Sequence, residues 1–164
     1  QMPASNSIQD TLAIAHTIHE VARAFDEKLH LELLPQMFTD DAIVLYRLRG
    51  QRHDFSMPDG AAKVKDLHDL CYWTQHFVSP HVISIDGDEA NARTPVHALH
   101  IQIRNDGSHN QWVLGAEYHD QLVRQDDRWR IEKRLAVIPY VEGDFLFDGV
   151  KMFPNLPDFD SENI

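Results

Sequence analysis

Two side chains, Asp26 and His76, are of types that carry acid–base chemistry. Asp26 follows Phe25 and lies four residues after Ala22, at the end of an apolar-periodic stretch, so its carboxylate falls at the edge of a buried helical stripe. A carboxylate near the negative end of a helix dipole does little for the helix, which argues for another purpose. His76 lies in the run Trp73-Thr74-Gln75-His76-Phe77-Val78-Ser79, whose aromatic and β-branched residues indicate a strand. Taken singly, Asp26 reads as a solvated helix-end aspartate and His76 as a hydrogen-bonded core histidine. A carboxylate set against the His76 ring would change that reading. A carboxylate that accepts from Nδ1–H fixes the imidazole tautomer and leaves Nε2 as a general base suited to neutral pH.

Other titratable residues are weighed against this pair. His97 and His100 occupy one strand with opposite parity, so only one of them enters an interior, and parity does not say which. Tyr46 is a core or rim aromatic whose phenol could polarise a carbonyl. His16 and His19 have i, i+3 helical spacing but no third ligand, so no metal site is expected there. Cys71 is the only cysteine and reads as a small buried hydrophobe. The chain has no P-loop, dinucleotide fingerprint or nucleophile elbow.

The elements that must position these residues follow from periodicity. Ser7 with Asp10 resembles a capping box, and Ile8, Leu12, Ala15, Ile18, Ala22, Phe25 and Leu29 recur at three-to-four spacing, predicting a long first helix. A short helix is expected over Leu31 to Phe38, with Pro35 in or ending it, then a strand over Ala42 to Arg49. Gln51 to Asp59 is polar and reads as a connection to a third helix, about Gly60 to Tyr72. Four strands follow, at His76 to Ile85, Ala90 to Arg104, Gln111 to Arg124 and Arg128 to Ile138, joined by Asp/Asn/Gly turns into an antiparallel meander. On the last of these, plain alternation puts Trp129, Ile131, Leu135 and Val137 on one face and Ile138 on the other. The fold class is α+β: a curved antiparallel sheet wrapped around a long helix, whose interior suits a small molecule.

Composition bounds the rest. The length of 164 residues and 43% hydrophobic content fit one domain, residues 2–164, with a tail from about 140 that carries Phe145, Phe147, Phe153 and Phe159 and covers the pocket or an interface. Gln1 before Met2 reads as an added residue, which makes Met2 the expected start. The formal charge of −11 repels phosphate backbones and anionic lipid, so neither nucleic acid nor membrane is an expected partner. One cysteine and no basic-then-apolar start over Gln1 to Asp10 make the cytoplasm the expected location.

Several segments together resemble the SnoaL-like branch of the NTF2-like superfamily, and within it the scytalone dehydratase group. They are Ala24-Phe25-Asp26, Phe38-Thr39-Asp40-Asp41-Ala42, Thr74-Gln75-His76-Phe77-Val78 and Asp86-Gly87-Asp88-Glu89-Ala90, with Asp126-Asp127-Arg128-Trp129-Arg130-Ile131 and Gly143-Asp144-Phe145-Leu146-Phe147-Asp148 later in the chain. The resemblance implies an NTF2-like cone in which Asp26 and His76 form the catalytic dyad, Tyr46 acts on a substrate carbonyl through water and His100 is a second pocket histidine. Phe25, Ala116 and Tyr118 fall at the group's substrate-contacting positions, and His97 and Trp73 are further candidates for substrate contact. Phe25 replaces a second tyrosine of that group, and Ala116 and Tyr118 replace its serine and asparagine, so scytalone itself is not the expected substrate.

The implied function is a cofactor-independent lyase acting on a small hydrophobic, aromatic or polycyclic compound, in a homotrimer. His76 would remove a carbon-bound proton, Tyr46 would stabilise the enolate and His100 would assist the leaving hydroxyl. The same dyad could drive formaldehyde-releasing retro-aldol cleavage of a lignin-derived aryl diol, or isomerisation of a steroid-like compound. A non-catalytic ligand-binding module is the alternative from another class.

Overall fold

Helix α1 runs from Ser5 to Asp26 in the computed structural model, which describes residues 5–157. It buries Ile14, Thr17, Ile18, Val21, Ala24 and Phe25, a stripe rotated from the one read off the sequence, so that Ile8 and Leu12 are exposed. The rotation has a polar cause. Asp10, the expected capping partner of Ser7, instead faces the sheet, where it accepts two hydrogen bonds of 2.9 Å from Arg124 and one of 3.0 Å from the Trp129 indole. Ser7 lies inside the helix, its carbonyl taking the Thr11 hydroxyl proton at 2.7 Å. Helices α2 (His30–Met37) and α3 (Asp59–Asp69) complete the helical layer, with Pro35 inside α2.

The strands are β1 (Phe38–Leu48), β2 (Gln51–Ser56), β3 (Trp73–Val78), β4 (Val82–Asp86), β5 (Glu89–Ile103), β6 (His109–Gln125) and β7 (Arg128–Gly143), followed by a small hairpin of β8 (Leu146–Phe147) and β9 (Val150–Lys151). The first seven form one sheet in the order β2-β1-β7-β6-β5-β3, with β4 also paired to β5. The expected meander is present from β5 to β7, but β1 lies parallel to β7, so the sheet is mixed rather than antiparallel throughout. The polar segment read as a connection is in fact β2. It folds back on β1 through Arg49 (φ 47°) and Gly50 (φ 84°), two left-handed residues whose twist suits a tight hairpin.

Two prolines mark further departures. The stretch read as one strand over His76 to Ile85 divides at Ser79-Pro80-His81 into β3 and β4, and the Pro95 carbonyl on β5 meets the Ser79 N–H in the gap at 3.0 Å. Pro95 therefore sits where its missing N–H breaks no ladder bond. Strand β7 continues past Ile138 to Gly143 because its register shifts by one residue opposite Gly115 to Glu117, and the resulting bulge accommodates Pro139. A second shift, around Glu132, reverses the alternation. Trp129, Ile131, Arg134, Ala136 and Ile138 all point inward as a result, while Leu135 and Val137 move to the outer face. Simple alternation had put Leu135 and Val137 with Trp129.

α1 and α2 pack on the inner face of the sheet around Ile14, Ile18, Val21, Phe25, Leu34, Phe38, Val44, Leu122 and Ile131. Within this layer Arg134 and Asp120 form a buried bidentate pair at 2.7 and 2.8 Å, with the guanidinium 4.0 Å above the Tyr118 ring. Beyond the end of α1 the inner face stays open, and there it becomes a pocket. Its outer end is closed by the segment after Gly143 (φ 80°), where a Cβ would collide with the Gln111 carbonyl oxygen. Gln102 and Asn110 tie this segment down. The Gln102 amide donates to the Leu146 carbonyl (2.8 Å) and accepts its N–H (2.9 Å), and Asn110 donates to the Asp144 carbonyl at 2.6 Å. Met152 and Phe153 thereby line the outer end of the cavity, with Phe145 buried behind them against Trp112, while Phe159 lies outside the described residues.

Candidate active site

The site begins where α1 ends. Asp26, its last residue, faces β3, and its carboxylate collects three donors: the Thr74 hydroxyl (3.1 Å), the His76 backbone N–H (2.9 Å to Oδ2) and the His76 ring Nδ1 (2.7 Å to Oδ1). Three donors compensate a carboxylate held at the unfavourable end of a helix dipole. They also lock the imidazole, because Nδ1 carries the proton given to Asp26 and Nε2 is left on the cavity side. Only 6% of the His76 side chain is exposed, and the Phe25 ring packs 5.1 Å from it.

Thr74 and His76 share the inward face of β3, and the register pairs Thr74 with His100 and His76 with Ala98 on β5. His76 and His100 are therefore diagonal neighbours on one face, with ring centroids 5.4 Å apart. His100 is the inward histidine of its strand. Its Nδ1 lies 3.2 Å from the Trp112 carbonyl, which fixes the proton there and leaves an unprotonated Nε2 toward the cavity. Burial, with His76 nearby, pushes the His100 imidazole down to about 3, against a smaller opposing effect of the Trp112 carbonyl.

A third imidazole, not anticipated from the sequence, joins them. His68 near the end of α3 is buried, its ring 5.4 Å from His76 and 5.7 Å from His100. Its Nδ1 shares a 2.8 Å hydrogen bond with Nε2 of the fully buried His30 on α2. Burial holds His68 well below the usual histidine range, assisted by His76 and His100, and pushes His30 down to about 4. All three of His30, His68 and His100 are neutral at neutral pH. The sequence gives no local sign of this, since His68 sits among Asp66, Asp69 and Lys65 on an amphipathic helix; only His68's spacing from Val64 and Leu67 hints that it faces inward.

His68, His76 and His100 line a cavity of about 460 Å³. Its walls are mostly apolar, from Leu48, Val64, Val96, Ala98, Leu114 and Ile138, and Tyr46, Tyr118, Ala116 and Trp112 complete them. Phe153 stacks on Trp112 at 5.4 Å with ring planes 7° apart, forming the outer wall. Burial raises both phenols, Tyr46 and Tyr118, above the usual tyrosine value, so both are protonated donors. Burial likewise pushes the Cys71 thiol up to about 11, which makes it unreactive.

Of the residues expected at the site, Asp26, His76, Tyr46, His100, Ala116 and Tyr118 come together. Asp26 reaches the cavity only through His76, and three others do not line it. His97 alternates to the outer face of β5, opposite Phe77 and Gly115, and Trp73 points outward from the edge strand β3. Phe25 lies beneath the cavity floor, packed against His76, His68 and His30, where it supports the imidazoles.

A curved sheet closing with helices over an apolar cavity is an α+β cone of the NTF2-like type. Residues 6–135 match the model of the SnoaL-like domain, and the chain belongs to that family. A comparison with curated protein sequences gave no match. Among solved structures it is similar to the Kfla4162 protein of Kribbella flavida, with 23% identity and a TM-score of 0.75, covering 83% of this chain and 95% of that one. It is also similar to a Novosphingobium aromaticivorans protein provisionally named a scytalone dehydratase (20% identity, TM-score 0.73, 89% and 95% covered). A type 2 hexachlorocyclohexane dehydrochlorinase, LinA, aligns at 17% identity and TM-score 0.69, covering 90% and 95%. At these identities the likeness is one of fold.

Proposed function

We propose that the protein is an acid–base lyase that removes a carbon-bound proton and an adjacent leaving group from a small hydrophobic ring compound. The observation that carries this reading is the 2.7 Å contact between Asp26 and His76 Nδ1 beside a largely apolar cavity of about 460 Å³. A binding pocket for an apolar molecule has no need of a carboxylate-backed imidazole; a proton-abstracting site does. In this reading His76 Nε2 takes the proton, and Asp26 stabilises the imidazolium that forms. Tyr46 and Tyr118, protonated and facing the same space, donate to the oxygen on which enolate charge develops.

The role first expected of His100 changes with its hydrogen bond. With its proton committed to the Trp112 carbonyl and its basicity suppressed by burial, His100 cannot protonate a leaving hydroxyl. It serves instead as an acceptor that orients a substrate hydroxyl. Elimination is favoured over retro-aldol cleavage by the company the fold keeps, since two of the similar structures carry dehydratase and dehydrochlorinase names. Halide departs as the anion once the enolate or carbanion has formed, whereas a hydroxyl departs as water by taking back from the His76 imidazolium the proton abstracted from carbon. No step requires a cofactor.

The test is proton abstraction itself. The protein is incubated in D2O with a panel of cyclic and aromatic β-hydroxy or β-halo ketones. Enzyme-dependent deuterium incorporation or loss of water or halide supports the reading. Release of formaldehyde from aryl diols without elimination would replace it by the retro-aldol reaction.

A further inference from the structure

Three imidazole nitrogens of His68, His76 and His100 converge on one spot at the inner end of the cavity, all within 4.8 Å of one another. They come from three elements, α3, β3 and β5, so the convergence is made by tertiary packing rather than by a local motif. We propose that these three side chains form a binding site for a divalent cation of the Zn2+ class, with its fourth coordination position open to the cavity. The acid–base reading of the previous section does not require such a site; the two share the Asp26–His76 contact, and the convergence of three imidazoles is an observation that reading does not use.

The first is the donor set. Three neutral imidazoles with no carboxylate in the first shell suit Zn2+, Cu2+ or Ni2+ and not Mg2+ or Ca2+, and three histidines with one free position is a recurrent arrangement for catalytic zinc. The second is what lies behind each ring. A ligating histidine needs its other nitrogen held by a carboxylate, a carbonyl or another fixed partner, which sets the tautomer and aims the ring. All three rings have this: Asp26 behind His76 (2.7 Å), the Trp112 carbonyl behind His100 (3.2 Å) and His30 behind His68 (2.8 Å). Among the described residues, each of these rings makes its hydrogen bond through Nδ1, which leaves Nε2 for a shared ligand. The third observation is distance. Tetrahedral coordination at about 2.0–2.1 Å brings nitrogens to about 3.4 Å of one another, so closure requires each ring to move by less than about 1 Å. For His68 the cation selects the tautomer in which Nδ1–H donates to His30 Nε2.

Occupancy has a chemical consequence. A cation on His76 Nε2 takes the lone pair that proton abstraction would use, so the loaded protein cannot carry out the acid–base step, and the cation acts as an inhibitor displaced by chelation.

The experiment is direct titration of the chelator-treated full chain with Zn2+ by calorimetry, and with Co2+ by visible absorption. One equivalent binding with a micromolar or tighter Kd, and intense Co2+ bands typical of four- or five-coordination, are expected. His100→Gln should weaken the site at least about 100-fold, and Asp26→Asn by about 10- to 100-fold through the His76 ring. His16→Gln, on the exposed face of α1, should bind as the parent does. Circular dichroism checks that each variant is folded, and the Asp26→Asn titration carries the test if His100→Gln is not. Absence of binding, a faint octahedral Co2+ spectrum, or uptake unchanged in both pocket variants would overturn the site. If turnover is found only in the metal-loaded protein, the inhibitory role and the acid–base reading fall together, while the binding data stand.

Discussion

The Asp26 carboxylate holds His76 twice, once through the ring Nδ1 at 2.7 Å and once through the backbone N–H at 2.9 Å. The same contact therefore fixes the tautomer of the imidazole and anchors the end of α1 to the edge strand that carries it. Asp26→Asn keeps the shape but weakens both functions, and turnover is expected to fall by about 10²-fold or more. Asp26→Ala leaves the Thr74 hydroxyl and the His76 N–H without a partner, and denaturant unfolding should show a loss of about 1–3 kcal/mol beyond that of the Asn variant. Equal stability of the two variants would mean that water replaces the carboxylate at no cost.

Acid should destabilise the fold earlier than carboxylate titration alone explains. His100 is held down to about 3 and His30 to about 4, and His68 is also well below its usual value, each chiefly by burial. These groups take up a proton on unfolding at any pH between their folded values and about 6.5, the ordinary unfolded value. Their contribution is present above about pH 6.5 and is lost as the pH falls toward 4, at up to about 1.4 kcal/mol per pH unit for each proton. Thermal melts between pH 7 and 4 should show a falling midpoint, and His100→Gln should flatten that slope even if its midpoint at pH 7 is lower. An unchanged slope in the variant would contradict the buried neutral state of His100.

Much of this architecture was legible in the sequence. The long helix, the third helix and the hairpins between β5, β6 and β7 followed from periodicity and turn residues. The Asp26–His76 pairing came from a family likeness laid over residues that, taken singly, looked unremarkable. What escaped was whatever depends on register. His97 and His100 could not be assigned to faces until β3 was known to pair with β5, and the bulge at Glu132 reversed an alternation that looked regular. β2 was hidden because both its faces are polar or half exposed, leaving no period to detect. His68 and His30 meet only because α2 and α3 pack together, a contact between residues 38 apart in sequence.

The Asp120–Arg134 pair is buried on both sides, with side-chain exposures of 0% and 1%. Breaking it by Asp120→Ala strands a guanidinium in the core and should cost about 3–5 kcal/mol, measured by urea unfolding. Replacing both partners by Leu and Met should recover most of that loss. A double replacement as unstable as the single one would show that packing around Tyr118, rather than the stranded charge, sets the cost.

Phe153, stacked on Trp112, forms the outer wall of the cavity. Phe153→Ala should weaken binding of an aromatic ligand by about tenfold, consistent with about 0.5–1.5 kcal/mol for an aromatic pair beyond its buried area, while changing the melting temperature little. Fluorescence titration reads the first and calorimetry the second.

Self-association is expected through the outer face of the sheet, where Leu135 and Val137 of β7 lie half-buried, and the family resemblance favours a trimer. Light scattering at micromolar concentration should report about three times the chain mass of 18.9 kDa. A monomer would contradict it.

The central claim is that His76 is the proton acceptor, and the most direct measurement compares parent and His76→Ala protein on the first substrate found by the deuterium-exchange panel. Turnover should fall to background while ligand affinity stays within about tenfold, because the interaction lost exists mainly in the transition state. Adding Asp26→Asn to His76→Ala should cause no further loss, since both substitutions disable one unit. Near-parental turnover in His76→Ala would contradict the account and pass the base role to another pocket imidazole.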